Sequence, residues 1–190
     1  MGRKYYYFAA TLPMPDFERP AAALAVEDFL SAADGQLALG DIRLLRSALD
    51  GIPVPSGQVF LAAWQTFERY LKNAIGSARM LAQDRHPQSG PHGDKGADVS
   101  MSQAVEEAVK HPDPLEGEKI LDRLRWQQLD QMALGHYFDL EFLIAYALKL
   151  KILQRYRVIA TGQGREMFAT YRGQLIREKM SNIHQGEWRE

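Results

Sequence analysis

Cysteine is missing from all 190 residues. That excludes a disulfide framework, a thiolate zinc site and a cysteine nucleophile, and it fits a reducing cytoplasm, so stability has to come from packing. Long apolar runs are missing too. Phe142 to Leu148 carries no charge, but Glu141 and Lys149 bound it, which is far too short to cross a bilayer. Signatures of common chemistries are equally scarce. There is no Gly-Lys-Ser or Gly-Lys-Thr of a phosphate-binding loop and no Gly-x-Ser-x-Gly elbow. Gly162-Gln163-Gly164 lacks the third glycine of a dinucleotide fingerprint and follows a segment that reads as helix rather than strand. Arg3, Lys4 and the tyrosines after them imitate the start of a leader, but Pro13, Pro15, Asp16, Glu18 and Arg19 interrupt it, and Tyr6 stands where myristoylation wants Ser or Thr. A protein neither exported nor acylated is expected.

What is present is ordinary for a globular chain with a sizeable core: 46% apolar and 25% charged residues, with a net charge of -1. The charge is unevenly spread. Lys149 to Glu190 holds nine Lys or Arg against four Glu, whereas Asp84 to Asp122 holds four basic and nine acidic residues. Such a split suits a polar partner surface or two attracting parts of one fold.

Helical signals dominate. Gly135 to Arg157 is apolar on almost every side and reads as a central buried helix, capped by Asp139 with Phe138 and Leu143 placed as a hydrophobic staple. Phe60, Trp64, Phe67, Leu71, Ile75 and Ala78 recur at steps of three or four, predicting an amphipathic helix from near Ser56 to about Ala82 with Gln65, Glu68, Arg69, Lys72 and Asn73 on its wet side. Asp113-Pro114-Leu115-Glu116 is a capping box with proline at the first helical position, opening a helix that runs to about Leu134 and stops at Gly135. Shorter helices are expected over Glu27–Ala33, over Ile42–Leu49 with Asp41 as cap, and over Ala104–Lys110 after a Ser100 cap. A last one should follow Gly164 to about Ile183. Tyr5 to Leu12 fits strand or helix, and Pro13 and Pro15 end it either way. Gln83 to Val99, rich in Gly, Pro and charge, reads as a mobile loop. The predicted architecture is all-α: one multi-helix orthogonal or bundle domain over residues 1–190, with a loop at about 83–99.

Candidate sites are few. Glu118, Asp122, His136 and Asp139 stand where two helices meet and offer carboxylate and imidazole ligands for a bundle metal site, although the Glu-x-x-His pairs of di-iron bundles are missing. A plainer expectation is a core polar network of Glu118, Arg125 and His136. Arg155, Tyr156, Arg157, Arg165, Tyr171, Arg172, Arg177 and Lys179 interleave cations with aromatics, as a phosphate-binding surface does. The near-neutral total and the lack of a helix-turn-helix or zinc signature weigh against nucleic acid.

The opening Tyr5-Tyr6-Tyr7-Phe8-Ala9-Ala10-Thr11-Leu12-Pro13 resembles the start of a family of proteins encoded with bacterial V-type ATPase subunits. So do Leu39-Gly40-Asp41-Ile42-Arg43-Leu44-Leu45, the Trp64–Asn73 helix, Arg125 to Asp130, and Phe138 to Leu150. That family in turn looks distantly like the C-type (d) subunit of V/A-type ATPases, an all-helical funnel joining the central stalk to the membrane rotor; this chain is shorter than the full funnel. The resemblance implies a non-catalytic accessory or connector protein without a cofactor, cytoplasmic or peripheral on the membrane through the complex, and docked on stalk or rotor subunits. Arg155, Arg157, Arg165 and Arg172 are the expected docking cations. A helical metal-dependent enzyme and a nucleic-acid-binding module are the alternatives.

Overall fold

The computed structural model describes residues 4–53, 57–82 and 99–160, the last four as backbone only. Every element among them is helical: α1 (Tyr6–Thr11), a 3-10 turn (Pro20–Ala22), α2 (Val26–Ala33), α3 (Leu39–Asp50), α4 (Val59–Ala82), α5 (Val99–Lys110), α6 (Pro114–Met132) and α7 (Leu140–Ala160). The fold class is therefore all-α. Of the expected loop at about 83–99, residues 83–98 lie outside the described residues and Val99 opens α5; the helix after Gly164 and the Ser56 start also lie outside them.

The apolar stretch in α7 is buried as its composition demands. Leu143 to Leu148, Leu150, Ile152, Leu153 and Tyr156 are all inaccessible, and each large aliphatic among them contributes about 1.5–3 kcal/mol on burial. α7 packs against α2, α3, the 3-10 turn and α6, while α4, α5 and α6 lie side by side. One contiguous apolar cluster, from Phe8 in α1 to Tyr156 in α7, joins both groups. Leu61, Trp64, Phe67 and Leu71 form the buried stripe of α4, with Phe60, Ile75 and Ala78 at its edges. No described helix is long and apolar enough to cross a membrane.

Helix ends follow local chemistry where a side chain is placed to act. Asp113 accepts from the Leu115 amide at 2.9 Å and Pro114 takes the first helical position; Glu116 does not complete the box but pairs with Lys119. Asp139 caps α7 through the Phe142 amide, and Phe138 meets the Tyr6 ring at 4.9 Å. Gly51, at φ 69°, closes α3 in the left-handed conformation, with the Ile52 amide reaching back to the Ser47 carbonyl.

Two expectations are corrected. Asp41 does not cap α3, which starts at Leu39 after Ala38; it lies in the first turn and accepts from the Tyr5 hydroxyl. Ser100 is inside α5 rather than before it. The choice left open at Tyr5 to Leu12 resolves as helix: α1 spans Tyr6–Thr11, and Lys4–Asp139 is an isolated bridge just before it. A further feature had no signal at all: a Cβ on Gly117 in α6 would stand 2.5 Å from the Ala108 carbonyl oxygen of α5, so glycine is what lets these two backbones touch.

Candidate functional site

α4, α6 and α7 converge on a buried carboxylate. Asp122 is fully inaccessible, which is tolerable only if its charge is compensated and its oxygens are hydrogen-bonded. Both conditions are met. Arg125 Nη1, one helical turn on, donates to Oδ1 at 2.8 Å. From α7, the Tyr156 hydroxyl donates to Oδ2 at 2.9 Å and Arg155 Nη2 lies 3.0 Å from the same oxygen. Arg125 also donates through Nε to Glu68 of α4 at 2.8 Å, and Arg155 reaches Glu118 Oε2 at 3.3 Å. Arg79 of α4 approaches the other Glu118 oxygen at 3.8 Å. Three carboxylates and three guanidiniums thus form one neutral chain across three helices.

Titration follows from this packing. Burial pulls the Arg125 guanidinium down, but Glu68 and Asp122 more than reverse it and hold the cation above its usual value. Burial, reinforced by the Asp122 charge, pushes the Tyr156 phenol far up, so it stays a donor at any ordinary pH.

The expected Glu118, Arg125 and His136 network does not form. Glu118 and Arg125 join the chain just described through different partners, and His136 lies elsewhere, its Nδ1 donating to Asp139 Oδ2 at 3.0 Å. Nor does the proposed metal set assemble, because Glu118 and Asp122 belong to the Arg155 network and His136 and Asp139 to the start of α7. Among the described residues one alternative donor group exists: ligand atoms of His136, Asp139 and Glu141 lie within 4.8 Å of one another. Lys4 already supplies a cation there, its Nζ 3.0 Å from Asp139 Oδ2, while Asp139 Oδ1 is spent on the α7 cap. Burial pushes the Asp139 carboxyl up, yet the bonds from His136, Lys4 and the Phe142 amide together win and hold it below its ordinary value. The arrangement works as a clasp between the chain before α1 and the start of α7.

Of the expected docking cations, Arg155 is half-exposed and shared between Asp122 and Glu118. The side chains of Arg157, Arg165 and Arg172 lie outside the described residues, as do those of Tyr171, Arg177 and Lys179. Residues that sequence reasoning left as a solvated face matter more. Glu68, Arg69 and Lys72 of α4 line a half-open cleft of about 740 Å³, together with Asp50 at the end of α3, Asp122 and Arg125 of α6, and Lys151 and Arg155 of α7. The only sequence signal for this site was the spacing of Asp122 and Arg125 on one helical face.

A family model described as "Protein of unknown function (DUF2764)" matches residues 96–179. The match takes in α5, α6 and α7, and with them Glu118, Asp122, Arg125, Arg155 and Tyr156, while Glu68, Arg79 and the α4 wall of the cleft precede it. No curated protein and no solved structure matches the chain.

Proposed function

We propose that this chain is a non-catalytic accessory or connector protein of a V-type rotary ATPase, acting by docking on stalk or rotor subunits. The observation that carries this reading is the cleft. Three of the sequence blocks that resemble the ATPase-associated family, those in α4, α6 and α7, are the helices that share the ion-pair chain and wall this cleft. A rigid helical frame with charged side chains at its rim suits a subunit that positions partners, and the moved ion is then handled by other chains. The place of action is the cytoplasmic side, peripheral to the membrane through the complex. Capture of the ATPase shaft and ring subunits on the immobilised protein tests this. Capture at low salt that weakens as salt rises is expected, since exposed charges are screened beyond about 10 Å at 0.1 M; no capture at low salt overturns it.

A second reading, a helical-bundle metal-dependent enzyme, is favoured by the His136, Asp139 and Glu141 group. The Lys4 ammonium on Asp139 opposes it, because a divalent ion would have to displace a bound cation. Elemental analysis of the purified protein separates the two, a stoichiometric metal supporting the enzyme.

A further inference from the structure

The cleft carries an imbalance of charge that its own residues do not resolve. Five cationic side chains and three carboxylates line it, but Glu68 and Asp122 are already neutralised by Arg125 and Arg155. Arg69 and Lys72 are exposed and make no ion pair among the described residues; Arg69 only rests against the Tyr70 ring at 5.6 Å. Three apart on α4, they share one face and repel each other. Lys151 faces them from α7, anchored by its ammonium on the Leu49 carbonyl at the end of α3. Among the described residues of the lining, Asp50 alone remains to offset these three cations.

We infer that this cleft receives an acidic segment of the partner protein, with carboxylates taken by Arg69, Lys72 and Lys151. A free small anion is disfavoured by shape. Small-ligand sites cover most of their ligand and fix it with a few preorganised groups, whereas this cleft is open along one side and its uncompensated cations sit on long stems at the rim. Its apolar lining, Leu61, Leu148 and Ile152, is already covered by the protein's own packing, so recognition is electrostatic and salt-sensitive. The inference deepens the docking function proposed above and rests on it for the identity of the partner.

The test uses the full chain and a fluorescein-labelled peptide alternating Glu and Leu, with a Gln-for-Glu peptide and citrate as comparison probes. The wild type binds the Glu peptide, ignores the Gln peptide and releases the former as sodium chloride rises. R69E/K72E loses about tenfold or more in affinity, while K110E, exposed at the end of α5, a helix that contributes no residue to the cleft lining, does not change. R69E/K72E also acquires binding to a Lys-and-Leu peptide, a gain that misfolding does not mimic. Undiminished binding of the Glu peptide by R69E/K72E overturns the inference, as does saturation by citrate as tight as by the peptide, which assigns the cleft to a small anion. Capture of ATPase subunits separates the two proposals. Equal capture by wild type and R69E/K72E sinks the cleft and leaves the docking function; no capture by wild type, with peptide binding still lost in R69E/K72E, sinks the ATPase partner and supports the cleft.

Discussion

Asp122 shows how much one buried charge can decide. Truncating it in Asp122→Ala leaves Arg125 with Glu68 as its one remaining carboxylate and strands the Tyr156 hydroxyl in the core, and breaking a buried pair from one side costs about 3–5 kcal/mol. Arg155 is half-exposed and can turn to water, so the loss should fall toward the lower end of that range, with Asp122→Asn milder because it keeps an acceptor. Urea unfolding of the two variants checks this, and equal midpoints for wild type and Asp122→Ala would show the network to be idle. Asp139 gives a pH signature instead. Its carboxyl lies lower in the folded protein than in the unfolded chain, so its stabilisation is complete above the ordinary carboxylate range, near about pH 4, and fades as pH falls through the folded value. Asp139→Asn should therefore lower stability at pH 7 and flatten the acid side of the profile, as read from urea midpoints between pH 7 and pH 3. An Asp139→Asn profile parallel to that of the wild type would refute the clasp.

At the scale of elements, two helical glycines make opposite predictions from the same substitution. Gly76 in α4 has nothing within 4 Å of a new Cβ, so Gly76→Ala should stabilise by about 0.5–1 kcal/mol through reduced chain entropy. Gly117→Ala should destabilise by about 1–3 kcal/mol, because the Ala108 carbonyl of α5 is backbone and cannot swing aside. Paired thermal melts decide it, and a rise in both melting temperatures would mean that α5 and α6 do not touch at Gly117. Periodicity made α4 legible in advance, since a buried stripe must repeat at the helical step whatever it packs against, while α6 was legible from its Asp113-Pro114 start and α7 from being apolar on almost every side. Caps were less legible. Asp113 and Asp139 act as caps because each precedes a helix with a free amide in reach, whereas Asp41 looked identical in sequence and was drawn off by the Tyr5 hydroxyl, 36 positions away.

For the molecule as a whole, the apolar cluster running unbroken from Phe8 to Tyr156 predicts one cooperative transition. Melting followed by far-ultraviolet circular dichroism and by tryptophan fluorescence should coincide; two separated transitions would divide the chain into units and end the one-domain expectation. The long-range ties point the same way. The Tyr5 amide donates to the Phe138 carbonyl, and the Tyr146 hydroxyl to the Pro13 carbonyl at 2.9 Å, so the segment around α1 is pinned both to the chain just before α7 and to the second turn of α7. Burial drives the Tyr146 phenol up to about 12, which keeps that donor intact through the alkaline range where an ordinary tyrosine ionises.

The all-helical class, the buried course of α7 and the inward stripe of α4 were determined by the sequence alone, because each follows from the spacing or density of apolar residues along the chain; α6 ends at Met132, ahead of the expected stop at Gly135. Which charges meet was decided only by the tertiary structure. Glu68, Asp122 and Arg155 are far apart along the chain and meet only through side chains that α4, α6 and α7 bring to one place; an ion pair between helices has no period to read. The same packing parted His136 from Glu118, and it left Arg69 and Lys72 facing a cleft instead of open water.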